Sequence, residues 1–134
     1  MKYVYPAIFT VEEDGGYSVN FPDFESCYTC GDTLAESLAM AEDVLAFTLY
    51  KLETEQALLP APGKLQGLSL GENEFANYIA CDTMEYRKRK NSKAVKKTLT
   101  IPSWLNEEGI ARGINFSQVL QDALMEKIEK YTKT

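Results

Sequence analysis

The chain has 134 residues, of which 45% are hydrophobic and 25% charged, and its net charge is -6. These values are typical of one folded domain or two small ones, so a largely disordered chain is not expected. Histidine is absent, which excludes a catalytic triad with an imidazole base and metal sites with histidine ligands. No apolar run reaches the roughly 18 residues that span a bilayer, and no signal-peptide pattern follows the start, so we expect a cytoplasmic protein without membrane contact.

The charge is distributed very unevenly along the chain. Residues 1–84 carry three lysines and arginines against fourteen acids, a net charge of -11, whereas residues 85–134 carry eleven against six, a net charge of +5. Half of all lysines and arginines lie within residues 87–97. Such asymmetry indicates two modules with different partners, of which the basic one faces a polyanion.

Two β-rich segments open the first module. The alternation in "YVYPAIFTV" and "YSVNF", around a glycine-containing turn, predicts a β-hairpin with Tyr17, Val19 and Phe21 on one face. Pro6 has no amide hydrogen, so we expect the first strand to lie at a sheet edge there. A third short strand is predicted around Tyr28.

A long amphipathic helix follows these strands. Thr33 and Glu36 form the capping-box pattern of a helix start, and leucine and alanine recur every three or four residues as far as Leu52. The segment "EFANYIACDT" predicts one further strand. Residues 1–84 are therefore predicted to be a β-β-β-α-β domain, and the basic residues 85–94 a linker to the second module.

The second module, residues 95–134, begins with a predicted strand that has two different faces. The apolar face holds Val95, Leu99 and Ile101, and the outer face holds Lys96, Thr98 and Thr100. Pro102 and Gly113 mark the two ends of a helix, and Asn115 with Gln118 caps a second one. We therefore predict an α+β chain whose C-terminal β-α-α module, too small to bury a core alone, dimerises.

Pairing of this strand with that of a second copy makes an antiparallel ribbon, which fits the major groove of B-DNA. The outer face would then supply the base contacts. We predict phosphate contacts from Arg87, Lys88, Lys97, Asn115 and Ser117, and a dimer core formed by Val95, Leu99, Ile101, Trp104, Leu120 and Leu124. The other interpretations are a solubilising linker, a nuclear localisation signal, or a helical dimerisation module that binds no DNA.

Candidate metal or catalytic residues are few. Cys27 and Cys30 form a C-x-x-C, but a zinc site needs four ligands. In a strand, moreover, side chains three residues apart point to opposite faces and cannot share a metal. We therefore predict reduced structural cysteines, no metal and no cofactor. Four acids could form a two-metal nuclease site, namely Asp14, Asp23, Glu25 and Asp82. Because acids are so frequent here, we favour a solvated surface or a surface for a basic protein, and predict no enzyme.

Two stretches resemble known families. "KKTLTIPSWLNEEGIARGINFSQVLQDAL" is similar to ribbon-helix-helix domains of the Arc and MetJ repressor type. "YSVNFPDFESCYTCGDTLAESLAMAEDVL" resembles HicB antitoxins, whose pattern is a hairpin, a Pro-Asp, a Cys-x-Thr-x-Gly-Asp-Thr and a long helix rich in alanine, leucine and glutamate. Glu25 and Ser26 stand where that family usually has Pro-Gly.

The resemblance implies a type II antitoxin. Its first domain would have a partial ribonuclease-H-like fold without nuclease chemistry, and would bind a HicA-like toxin, a small basic mRNA interferase. Its second domain would bind the operator DNA of its own operon as a homodimer, or as a tetramer of paired dimers. The toxin-contacting residues within 1–84 are not identified by it. A metal-dependent nuclease, or a stand-alone repressor whose acidic domain senses a ligand, are the alternative functions.

Overall fold

The computed structural model describes residues 1–132, which form two compact units. The first unit comprises residues 1–92, and the second begins at Lys93. The last two residues of the predicted second domain, 133 and 134, lie outside the described part of the chain. Within residues 1–132, no helix is long and apolar enough to cross a membrane.

The first unit contains a four-stranded antiparallel sheet. Its strands are β1 (Lys2–Val11), β2 (Tyr17–Asn20), β3 (Tyr28–Gly31) and β4 (Glu74–Asp82), arranged in the order β3-β2-β1-β4. In this register Phe9 of β1 lies opposite Val19 of β2 and Phe75 of β4. The rings of Phe9 and Phe75 stack at 5.0 Å, so aromatic packing and strand pairing fix the same alignment.

Pro6 lies where β1 has a neighbour on one side only. β2 pairs with β1 only from Ile8 to Val11, and opposite Pro6 stands Tyr78 of β4. Tyr78 donates its amide to the side chain of Asn77 at 3.0 Å. The missing amide hydrogen of Pro6 therefore lies at a local edge, although β1 as a whole is an inner strand.

Helix α1 (Leu34–Thr54) covers one face of this sheet. Thr33 caps it by accepting the amide of Glu36 at 3.1 Å, while the Glu36 carboxylate accepts the amide of Asp32 at 3.3 Å. The capping pattern predicted from the sequence thus starts the helix, with its return bond one residue earlier than expected. Leucines and alanines at helical spacing then meet the buried side chains of β1 and β2: Ala41, Leu45, Ala46 and Leu49 against Tyr5, Ala7, Phe9, Val19 and Phe21.

The predicted linker over residues 85–94 is wrong for most of its length. Thr83–Lys90 form helix α2, which begins at an Asp82 side chain that accepts the Met84 amide at 2.9 Å. Tyr86 is buried and packs on Tyr50 of α1 with ring centroids 5.4 Å apart. Because this aromatic anchor holds the helix on α1, the boundary between units falls after residue 92 instead of after residue 84.

The second unit contains helices α3 (Ser103–Ala111) and α4 (Phe116–Thr132). Gly113 adopts φ +67° after α3, and Asn115 caps α4 by accepting the Gln118 amide at 3.0 Å, both as predicted. The strand predicted over residues 95–101 is absent from the single chain, where residues 91–102 have neither helix nor strand. A two-stranded ribbon takes its second strand from another copy, and one chain alone lacks that partner.

Candidate functional site

Three of the four carboxylates of the nuclease alternative serve local structure at separate places. Asp14 accepts the amide two residues later at 2.9 Å in the hairpin turn, Asp23 accepts the Gly63 amide at 3.0 Å, and Asp82 caps α2. Asp14 and Asp82 lie at opposite ends of β1, and Glu25 lies in the loop after β2. Within residues 1–132, no three possible metal ligands come together.

The three cysteines are free thiols in different environments. Cys27 and Cys81 are buried, whereas Cys30 is exposed. Thr48 donates its hydroxyl to Cys27 Sγ at 3.3 Å, and burial raises the pKa of Cys27 above its usual value. Burial and the nearby Glu42 carboxylate raise the pKa of Cys81 to about 12. Both buried thiols therefore stay protonated at neutral pH, which suits packing and does not suit nucleophilic chemistry.

Two of the predicted phosphate-contacting residues lie on α2, where they already have partners. Arg87 stacks over the Tyr50 ring at 4.8 Å and pairs with the Glu53 carboxylate at 3.5 Å. Glu53 also accepts the Tyr3 hydroxyl at 2.8 Å, and burial together with this carboxylate raises the pKa of Tyr3 to about 12. Lys88 is more exposed and pairs within its own helix with Glu85.

The predicted base-contacting residues are all solvent-exposed in the second unit. Lys96, Thr98 and Thr100 lie in the irregular segment before α3, together with Lys97. Asn115 and Ser117 are exposed at the start of α4, where Asn115 caps the helix and Ser117 accepts a hydrogen bond from the Gln121 side chain at 3.1 Å. The single chain therefore leaves the predicted DNA-contacting set accessible, without the ribbon that would order it.

The second unit exposes most of its apolar side chains. Of residues 93–130, only Gly109 is buried. A Cβ added to Gly109 would overlap the ring of Phe116. All six residues of the predicted dimer core keep solvent-exposed surface. Leu120 is half-buried, and the exposed fraction of the other five ranges from 45% for Ile101 to 84% for Val95. An apolar surface of this extent on so small a unit favours association with another chain.

A groove that sequence reasoning missed lies between α1 and the junction of β4 with α2. It has a volume of about 580 Å³. Its walls are made of small, thiol and charged side chains: Ala39, Glu42, Asp43, Ala46, Cys81, Asp82, Glu85, Tyr86, Lys88 and Arg89. We call it the α1–α2 groove. Three separate segments supply these residues, so no single motif in the sequence could reveal it.

The family of the chain follows from comparison with known proteins. The family model described as HicB-like antitoxin of a bacterial toxin-antitoxin system matches residues 5–111, most of the chain. The chain belongs to the HicB-like antitoxin family. This membership and the observed sheet and helices confirm the family and the α+β fold class predicted from the sequence.

Individual relatives agree with this assignment. Antitoxin HicB 1 of Photorhabdus laumondii is 45% identical over 60 residues, which are 43% of this chain and 39% of that protein. Antitoxin HicB 2 of the same organism is 30% identical over 100 residues, 73% of this chain and 71% of that protein. A chain of a toxin-antitoxin complex from Streptococcus pneumoniae is 35% identical, with a TM-score of 0.63, and the likeness covers 95% of this chain and 99% of that chain.

The HicB-like antitoxin matches differ in how much of each relative they cover. The chain spans about two fifths of the length of HicB 1 and of the HicB antitoxin of Escherichia coli, at 39% and 44%. The likeness to the Streptococcus pneumoniae chain, in contrast, runs over nearly the whole of both molecules. That likeness therefore includes elements of both units of the present chain.

Proposed function

We propose that this HicB-like chain is an antitoxin that binds and neutralises a HicA-like mRNA interferase, and that it represses its own operon as a DNA-binding homodimer. The observation that carries the first part is the family match over residues 5–111 combined with the acidity of the first unit. Residues 1–92 carry seven lysines and arginines against fifteen acids, a net charge of -8. We place this activity in the cytoplasm and assign the chain no enzymatic role.

The charge of the first unit suits a basic toxin that binds RNA. An acidic surface attracts such a protein and competes with its polyanionic substrate, and the attraction raises the association rate more than the final affinity. The same charge repels nucleic acid, so the first unit does not itself take up the RNA that it protects. The carboxylates of the nuclease alternative form no cluster of three metal ligands within residues 1–132, which removes the geometric basis for that function.

The second unit is proposed to carry the repressor function. Its residues 93–97 add three lysines to an exposed segment that alternates apolar and polar side chains. Pairing of two such segments buries Leu99 and Ile101 and directs Lys96, Thr98 and Thr100 toward base edges, while Lys97 approaches phosphate. The exposed apolar side chains of α3 and α4 support a dimer, because one copy leaves them in water.

A binding experiment tests the antitoxin function. The purified full chain is mixed with the toxin encoded beside its gene, and the mixture is separated by size-exclusion chromatography at low salt. We expect one complex peak that contains both proteins, and a slower association as salt is added, because exposed charges are screened. Separate elution of the two proteins at low salt would contradict the proposal, as would a gene neighbourhood without any small basic toxin.

A further inference from the structure

The α1–α2 groove has small side chains from α1 and a buried thiol among its lining residues. Ala39 is exposed at the groove, Ala46 is almost fully buried, and Cys81 has only 5% of its surface exposed. Cys81 has no hydrogen-bond partner among the described residues. With a volume of about 580 Å³, the groove is large enough to admit a side chain from another molecule, and its lining includes a thiol that makes no hydrogen bond within the described chain.

The charged residues at the rim leave one carboxylate unpaired. Asp43 pairs with Arg89 at 3.3 Å, and Glu85 pairs with Lys88 at 3.5 Å. Glu42 is exposed and has no hydrogen-bond or ion-pair partner within residues 1–132. Asp82 lines the same groove and pairs with the N-terminal ammonium at 3.3 Å, so Glu42 is the groove carboxylate that lacks an ion-pair partner among the described residues. An arriving cation would meet uncompensated negative charge, whereas a phosphate would be repelled.

The helix face of the first unit beside the groove is apolar and exposed. Met40 is 41% exposed and Phe47 is 50% exposed, and each directly follows a groove-lining alanine. Phe47 approaches Tyr86 edge-on at 6.5 Å, so this apolar face continues into the groove wall. An apolar patch next to partly unpaired charge is the usual composition of a protein interface, with aromatic side chains at its centre and polar groups at its rim.

We propose that the α1–α2 groove is the docking site for a lysine or arginine side chain of the basic toxin, with Met40 and Phe47 packing against apolar residues around that side chain. This inference rests on the proposed antitoxin function and names the surface that carries it. The ammonium or guanidinium pairs with Glu42, and its aliphatic stem lies along Ala39 and the Cys81 thiol. A second copy of this chain is the other conceivable occupant, and the experiment separates the two.

The test uses two substitutions in the groove and two matched controls in the full chain. Ala39→Arg fills the groove with a cation of its own, and Glu42→Lys reverses the unpaired charge. As the first control, Ala57→Arg introduces the same cation at an exposed residue beyond the C-terminal end of α1. As the second, Glu13→Lys makes the same charge reversal in the hairpin turn. Because all four residues are exposed, we expect each variant to keep the thermal unfolding temperature of the wild-type chain, which is measured in parallel.

Affinity for the purified toxin encoded beside this gene is measured by titration calorimetry at one fixed salt concentration. We expect Ala39→Arg and Glu42→Lys each to weaken binding about tenfold or more, and both control variants to stay within about twofold of wild type. If the wild-type chain binds and the groove variants bind equally well, the docking site is wrong while the antitoxin function stands. An equal loss in all four variants would also overturn it, since the effect would then be general charge.

Two further outcomes separate the remaining cases. If the wild-type chain does not bind the toxin, the proposed function itself fails, and the docking site fails with it. If Ala39→Arg changes the oligomeric state of the chain alone in sedimentation analysis, a second copy occupies the groove, and the proposed toxin site is overturned. We expect the sedimentation profile of Ala39→Arg to match that of the wild-type chain.

Discussion

Gly31 ends β3 at a point where the chain must pass very close to α1. A Cβ at this position would lie 2.6 Å from the Ser37 amide nitrogen and 2.8 Å from its Cα, which are backbone atoms that cannot move aside. We expect Gly31→Ala to lower the free energy of unfolding of the first unit by about 1 to 3 kcal/mol through overpacking. Urea denaturation followed by circular dichroism measures this difference.

Gly67 provides the control for that substitution. It lies at the end of a short 3-10 helix (Leu65–Gly67), and a Cβ there would meet no heavy atom within 4 Å. Gly67→Ala should therefore leave the unfolding midpoint close to that of the wild-type chain. An unchanged midpoint for Gly31→Ala would show that α1 shifts freely on the sheet, contrary to the close approach described above.

At the scale of the element, α2 makes the basic segment part of the first unit. Arg87 contacts two side chains of α1, the Tyr50 ring and the Glu53 carboxylate. Lys88, in contrast, pairs only with Glu85 on an exposed surface. We expect Arg87→Ala to lower the unfolding temperature of the first unit, with a loss of stability of about 1 kcal/mol from the stacking and the partly exposed ion pair. Lys88→Ala should have almost no effect, and thermal unfolding of both variants tests the contrast.

Arg87→Ala, compared with Lys97→Ala, also tests the predicted phosphate contacts. If Arg87 serves mainly to hold α2, then Arg87→Ala should reduce operator affinity less than Lys97→Ala does, because Lys97 lies in the exposed segment of the second unit. Fluorescence anisotropy with operator DNA at several salt concentrations measures both. An equal loss for the two variants, with an equally reduced salt dependence, would return Arg87 to the phosphate-contacting set.

The elements predicted well from the sequence have either a regular spacing of apolar residues or a recognisable capping residue. The hairpin and α1 followed from alternating residues and from the Thr33 cap, and Gly113 and Asn115 marked the ends of α3 and α4. Helix α2 was missed because its eight residues include four consecutive cations and bury little besides Tyr86. The α1–α2 groove could not be predicted at all, since tertiary packing brings its segments together.

At the scale of the whole molecule, the predicted ribbon depends on a partner strand. The alternation over residues 95–101 is visible in the sequence, but its apolar side chains remain exposed in the single chain. We expect the wild-type chain to sediment as a dimer or a larger assembly, and Leu99→Glu to be monomeric and unable to bind operator DNA, because a charge would enter the dimer core. Analytical ultracentrifugation and DNA-binding titration measure the two effects.

Thr98→Ala is the neighbouring control for that assembly. Its side chain lies on the predicted outer face, so the variant should remain a dimer while losing about 1 to 3 kcal/mol of preference for the operator over unrelated DNA. A dimeric Leu99→Glu chain with normal operator affinity would contradict the ribbon. In that case, base contacts from the second helix of a helix-turn-helix arrangement would become the better interpretation.

The central claim is that the acidic first unit neutralises an RNA-cleaving toxin, and inhibition of RNA cleavage tests it most directly. Toxin encoded beside this gene is incubated with a labelled mRNA fragment while the purified full chain is added in increasing amounts. The account predicts that cleavage falls as the chain is added and stops near equimolar amounts of the two proteins. Undiminished cleavage at a severalfold excess of folded chain would contradict it.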